Sequence, residues 1–557
     1  MTTSTLQHTT RAQDAPPAMH VGRAIAASLE LHGVQRVFSV PGESYLALLD
    51  GLHDVAIPNV VCRHEGGAAY MAEATGKLTG TPGVAMVTRG PGAANAFVAV
   101  HVAWQDASPM VLFVGLIPVA DRGRDAFQEF DPNGWFGSQA KRVLVLDAPE
   151  RASEVVAEAF RIARSGRPGP VIVGLPEDVV AAPFTGELRA RLPVARGAVA
   201  DDDREAILDA LAGAERPLLL VGGEGWTPEA AKAVQGFAER NRLPVLQEWH
   251  ATGRIPTDSP SFVGQLAFGG PPEGMRMLED ADVLVTVGAV LNDVTTGSYV
   301  ARQNADARTI VVSLDPELRG GSGALSRHVL ASPETFAKAI ADAALPEHAR
   351  RSAWTAQHHD RVVAERLDWS ARADGRRGAS MTRLIDAVAE RLRDPLVTVG
   401  AGNHSAWAQL LPSVRYPAEL ATRNGSMGYS VPAALAAALE DPNREVVTIV
   451  GDGELLMNGQ ELATAAQEGA AFLVIAMDNG QYGTIRSHQE RYYPGRVSGT
   501  QLTNPDFAAL ARAYGGHGET VRADGEIDGA VTRALAAVEE GRCALIHIVV
   551  DPDILLP

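Results

Sequence analysis

The sequence predicts an α/β protein made of three doubly wound, parallel-sheet domains. Short apolar runs alternate with helical stretches along the whole chain, the pattern of strands joined by crossover helices. The 557 residues exceed what one core holds, since a domain usually has about 50–250 residues. Glycine-rich turns recur where apolar runs end, as they do where backbone must come close to a ligand.

Residues 18–185 form the predicted first domain. A helical stretch, His20–His32, precedes the apolar runs Arg36–Ser39, Gly83–Thr88, Met110–Gly115 and Pro170–Gly174. The acidic run Asp201–Glu205 opens a central domain over 200–345. Here Pro217–Val221 leads into Gly222, Gly223 and Gly225, and Ala281–Val287 and Thr309–Leu314 are further strands. From 346 to 380 the chain turns polar and reads as a linker with a helical portion, so His358 and His359 are expected at its surface. A third domain over 381–550 carries strands Val397–Gly400, Val446–Val450, Ala471–Met477 and Ala544–Val549.

Hydrophobic residues are 46% and charged residues 21% of the chain, the balance of a soluble protein with buried cores. The net charge of −18 excludes a protein that wraps nucleic acid, because phosphate contact needs a basic surface. It does not exclude a small anion held by a local metal. Cys62 and Cys543 each lie in an apolar run and read as buried thiols. Residues 1–17 read as a loose tail, and no apolar segment reaches the ~20 residues that span a bilayer. A cytoplasmic protein without a membrane partner is expected.

The sharpest chemistry lies in Val446–Glu454, which ends Gly451-Asp452-Gly453-Glu454, with a helix expected near Asn458–Gln467. A further strand ends in Asp478-Asn479-Gly480-Gln481. If the two strands are neighbours, Asp452 and Asn479 meet at their C-terminal ends, where open α/β sheets bind ligands. A carboxylate and an amide oxygen are hard ligands for Mg²⁺, and a helix N-terminus favours phosphate. The alternative is a plain strand-to-helix turn capped by the aspartate. The segment lacks the lysine of a P-loop and the last glycine of Gly-x-Gly-x-x-Gly, which counts against phosphoryl transfer and nicotinamide chemistry.

At these residues the chain resembles the thiamine-diphosphate enzyme superfamily, especially its acetolactate-synthase-like members. Gly451-Asp452-Gly453 with Asp478-Asn479 resembles the metal and diphosphate motif, although Asp478 stands where an asparagine is usual. Arg63-His64-Glu65-Gly66-Gly67-Ala68-Ala69 is similar to the cofactor-activating segment, and Thr88–Asn95 to the glycine-rich segment beside it. Asn424-Gly425-Ser426-Met427-Gly428 is similar to the loop that bends the cofactor. The likeness covers about residues 18–550.

The resemblance implies thiamine diphosphate and Mg²⁺, with Asp452, Asn479 and the Gln481 carbonyl on the metal. It implies that Gly425, Ser426, Met427, Gly451, Gly453, Glu454, Asn479 and Tyr482 hold the cofactor and that Glu65 activates it. Ala126-Phe127-Gln128-Glu129 resembles an acceptor loop, which makes Gln128 a candidate catalytic residue and Phe127 a substrate contact. Arg486 and His488, the latter where a tryptophan is usual, are further substrate candidates. Val290 and Val294 replace arginines of a segment associated with FAD, so FAD is left open and slightly disfavoured.

The implied reaction takes a 2-oxo acid, removes CO₂ and transfers the resulting two-carbon hydroxyalkyl carbanion to a carbonyl acceptor. The alternatives are a non-ligating 2-oxo-acid decarboxylase, another lyase or transferase of the superfamily, or an inert scaffold paralogue. A homodimer or homotetramer is implied, and the need for a regulatory subunit stays open.

Overall fold

A computed structural model describes residues 19–554 except 224, 267–271, 302–306, 319–324 and 373–376. The expected tail over 1–17 lies outside the described residues. Eighteen strands among the described residues form three six-stranded sheets in which every pair is parallel.

The first sheet contains β1 (Val37–Ser39), β2 (Asn59–Val61), β3 (Gly83–Val87), β4 (Met110–Leu116), β5 (Arg142–Val145) and β6 (Pro170–Pro176), in the order β2-β1-β3-β4-β6-β5. The central sheet contains β7 (Pro217–Val221), β8 (Val245–Gln247), β9 (Phe262–Gln265), β10 (Val283–Val287), β11 (Arg308–Ser313) and β12 (Leu325–Leu330). The third contains β13 (Leu396–Val399), β14 (Glu419–Leu420), β15 (Val446–Gly451), β16 (Leu473–Asp478), β17 (His517–Val521) and β18 (Ala544–Val549), ordered β14-β13-β15-β16-β18-β17. The first and third sheets therefore share one topology. Each has its switch point beside its first strand, between β1 and β3 or between β13 and β15.

Strands β3, β4, β6 and β7 are buried at every residue. That is the cause of their unbroken apolar sequence, since a parallel sheet is covered on both faces. The first and third domains also share a core. Helix Glu65–Thr79 packs on helix Ser430–Glu440, and Ala68, Ala69, Ala72, Ala433, Ala434 and Ala437 of these helices are buried in the shared core. Small side chains let the two axes approach closely.

Polar bonds reinforce that contact. Tyr429 donates to the buried Glu73 carboxylate (2.8 Å), as does Ser108 (2.6 Å). Lys77 bridges Asp106 (2.6 Å) and the Ala421 carbonyl (2.8 Å).

The polar stretch after the central domain is mostly one helix, Ala349–Arg372. The expectation that His358 lies at the surface is corrected: it is buried, stacked edge-on to Trp354 and hydrogen-bonded to Glu273. The helix turns this face onto the central domain, and a polar composition conceals it. The expected helix near Asn458–Gln467 is two helices, Asp452–Asn458 and Glu461–Glu468. Cys62 and Cys543 are free and buried, as expected. Among the described residues no helix is long and apolar enough to cross a membrane.

Candidate active site

Register brings the two halves of the proposed metal motif together. β15 pairs with β16 so that Val450 faces Ala476 and Gly451 faces Met477. Asp452 and Asn479 thus leave neighbouring strands at the same end of the sheet. Both line a cleft of about 250 Å³ with Gly425, Met427, Gly451, Gly453, Glu454, Gln481 and Tyr482. The other wall is Ala401–His404, which follows β13. The cleft therefore sits at the switch point, where doubly wound sheets take ligands.

Its electrostatics favour a cation. Asp452 is 3% exposed, and its carboxyl is pushed up to about 6 by burial, with the neighbouring Asp478 adding to the shift. Burial opposes ionisation of Asp478 too, but bonds from His547 and Asn504 hold it below its ordinary value. One amide serves both acids: Asn504 Nδ2 donates to Asp452 Oδ2 (2.6 Å) and Asp478 Oδ1 (2.8 Å). Among the described residues no cluster of three or more His, Cys, Asp or Glu side chains is arranged to hold a metal. The available donors are instead one carboxylate, the Asn479 amide oxygen and backbone carbonyls, a set suited to Mg²⁺ shared with a diphosphate.

The walls are braced from behind. Glu454 accepts from Ser430 Oγ (2.8 Å) and Gly428 N–H (3.2 Å) and lies 3.1 Å from His404 Nε2. Its carboxylate thereby fixes the turn that presents Met427 to the cleft. Ser426 does not line the cleft itself; its hydroxyl lies 2.6 Å from Tyr70 Oη, on the helix that begins at Glu65. At Gly453 the Tyr482 ring comes so close that a Cβ would lie 2.5 Å from Cε1.

Models of thiamine pyrophosphate enzymes match all three domains. The N-terminal TPP-binding domain corresponds to residues 19–135, the central domain to 204–340 and the C-terminal TPP-binding domain to 400–548. The acetolactate synthase isozyme 2 large subunit of Escherichia coli is 30% identical over 542 residues, 96% of each chain. The acetolactate synthase large subunit of Parasynechococcus marenigrum is 32% identical over 526 residues, covering 90% of this chain and 83% of its own. The chain belongs to the acetolactate-synthase-like family of thiamine-diphosphate enzymes.

In this thiamine-diphosphate enzyme the remaining predicted residues gather elsewhere. Glu65 opens helix Glu65–Thr79, where its carboxylate accepts from Asn95 Nδ2 (2.9 Å). A Cβ on Gly92 would lie 3.2 Å from Glu65 Oε1, and one on Gly90 would lie 3.1 Å from Gln128 Cβ. Glu65 and Gln128 therefore flank a single turn, Gly90-Pro91-Gly92, at the switch point of the first sheet. Gln128 has φ +62°, a left-handed conformation uncommon outside glycine and found often at functional sites. Glu129 staples its loop by accepting from Gly123 N–H (2.6 Å) and Ala126 N–H (3.0 Å). Phe127 is 73% exposed.

None of these three lines the cleft around Asp452. Arg486 is also outside it. Its guanidinium bonds Glu490 (2.9 Å), Gln481 Oε1, the Pro552 carbonyl and Asp553 (each 3.1 Å). His488 is exposed and stacks on Tyr492.

Sequence reasoning missed several contributors. Asn504 and His404 carry no motif of their own, and only the fold places them beside Asp452 and Glu454. Glu461 accepts from the N–H groups of Arg63 and His64 (3.0 Å each), and a Cβ on Gly67 would meet the same carboxylate at 2.5 Å. The two glycines after Glu65 offered a signal, because Gly67 admits a side chain from the third domain.

Proposed function

We propose that the chain is a decarboxylating carboligase that takes a 2-oxo acid as donor and a second carbonyl compound as acceptor. The observation that carries this reading is the cleft at the third switch point, where Asp452 and Asn479 converge with Met427 and Tyr482. Full-length similarity to acetolactate synthases supports the ligase branch.

Asp452, Asn479 and the Gln481 carbonyl would hold Mg²⁺, and the turns at Gly425 and Gly451–Glu454 would receive thiamine diphosphate. When bound, that cofactor supplies an electron sink that lets a 2-oxo acid lose CO₂. Met427, held by the Glu454 bonds, would support the cofactor from within the cleft. Glu65 would exchange a proton with the aminopyrimidine, with Asn95 fixing the carboxylate's orientation. Gln128 would orient the acceptor carbonyl through its amide.

Glu65 and Gln128 lie outside the cleft of their own chain, so a second copy is the source that completes the site. Large apolar side chains left at the surface support association: Phe127, Leu456, Met457 and Ile485 are all exposed. A homodimer is thus the smallest active unit, and a tetramer of paired dimers has the same sites.

The test is product analysis after incubation with pyruvate, Mg²⁺ and thiamine diphosphate, with and without further carbonyl acceptors. Acetolactate or a mixed ligation product is expected. Acetaldehyde alone would refute ligation and leave a simple decarboxylase, and no turnover despite cofactor binding would leave a scaffold.

A further inference from the structure

The central sheet has a different topology from its neighbours. Its order, β9-β8-β7-β10-β11-β12, is that of dinucleotide-binding sheets, whose crevice opens where β7 meets β10. Gly222 and Gly223 follow β7, and Gly288 follows β10. A dinucleotide phosphate needs backbone N–H groups there, and among the described residues the protein has used four of them. Gly222 N–H donates to Val287 O (3.1 Å) and Gly288 N–H to Val312 O (2.9 Å). Gly223 N–H (3.0 Å) and Val290 N–H (3.4 Å) both donate to the carboxylate of Glu248.

The crevice is also shut sterically. A Cβ on Gly223 would lie 2.0 Å from the Gly288 carbonyl oxygen, so the two loops touch backbone to backbone. The Trp226 indole donates to Gly222 O (2.9 Å), and the Arg254 guanidinium donates to Gly223 O.

Glu248 follows β8 and is 2% exposed. An unpaired carboxylate at that depth would be costly. Arg423 of the third domain supplies the counter-charge through a direct hydrogen bond. Arg423 immediately precedes Asn424-Gly425-Ser426-Met427, of which Gly425 and Met427 line the thiamine cleft.

We propose that Glu248 is an internal substitute for a nucleotide phosphate: it fills the donor cradle of the central crevice, so the domain takes no FAD, and through Arg423 it positions the cofactor loop. The positioning half rests on the function proposed above; the FAD half does not.

FAD titrated into the wild-type holoenzyme, followed by flavin fluorescence, should show no saturable binding, and the purified protein should show no flavin absorbance. Saturation at about micromolar FAD would overturn the first half. Glu248→Leu and Arg423→Leu each break this buried ion pair by removing one partner and should weaken Mg²⁺-dependent thiamine diphosphate binding roughly tenfold or more. The double variant removes both partners of that pair and should recover part of that loss. Glu248→Gln, closer in shape, serves where a leucine variant does not fold. Folded single variants with wild-type cofactor affinity, whatever their melting temperatures, would overturn the positioning role. A wild-type chain that binds no thiamine diphosphate would remove the cofactor reading and the positioning role together, while the FAD titration is decided on its own.

Discussion

Gly453→Ala should weaken cofactor binding while leaving the fold intact. The added Cβ would lie 2.5 Å from Tyr482 Cε1, 3.1 Å from Cδ1 and 3.2 Å from Leu502 Cδ1. Carbon atoms rest about 3.5–4.0 Å apart, so the ring must retreat by about 1 Å. Tyr482 is tied by its N–H to the Thr500 carbonyl (2.8 Å) and follows Gln481 directly, so its retreat pulls on the backbone carbonyl proposed as a metal ligand. Overpacking of this kind costs about 1–3 kcal/mol. Expressed in the bound state, that is roughly a 5- to 150-fold rise in Kd. Calorimetric titration of thiamine diphosphate at fixed Mg²⁺ measures it, with the urea midpoint of the cofactor-free protein as a control. A wild-type Kd would refute the placement of Tyr482 against the cofactor turn.

Three further outcomes are expected. Asn504→Ala removes the amide shared by Asp452 and Asp478, and should cost the cofactor-free protein about 2–4 kcal/mol. The loss should be smaller with Mg²⁺ and thiamine diphosphate bound; equal losses in urea unfolding would contradict a cation there. Arg486→Ala should lower stability by about 1 kcal/mol and leave the KM for the 2-oxo acid within about twofold, since its guanidinium is already engaged; a KM rise of about tenfold or more would make it a substrate contact. Burial, aided by Asp106 and opposed by Lys77, holds the Glu73 carboxyl above its ordinary value. Its stabilising contribution is therefore complete below the unfolded value of about 4.3 and is lost as pH rises through the raised folded value. Glu73→Gln should flatten that decline in the urea midpoint, and an undiminished slope would contradict the reading.

How much of this was legible follows from where the constraints lie. Strands β3, β4, β6 and β7 are apolar throughout because both sheet faces are covered, and that signal is local. Edge strands such as β2, β5 and β14 run for two to four residues with polar members, and their pairing is set by neighbours rather than by their own pattern. Asp452 and Asn479 were readable because each ends a central strand. Glu65 is singled out by resemblance alone, since an acid at a helix start is otherwise unremarkable chemistry.

Other parts of the site have no local signature. Asn504 reaches Asp452 across 52 positions, and Arg423 reaches Glu248 across 175. The first pair exists only once the third domain has folded, and the second only once that domain has packed on the central one. The surface reading of His358 failed for the same reason: a helix with a polar composition hides which face it buries.

The central claim is that Glu65 of one chain and Asp452 of another serve the same cofactor. Co-expressing Glu65→Gln and Asp452→Ala chains under different tags, and purifying the mixed dimer, tests it most directly. Each variant alone should be inactive, and the mixed dimer should regain activity because one of its two sites keeps both groups. A mixed dimer as inactive as its parents, with a doubly tagged wild-type control fully active, would contradict the shared site.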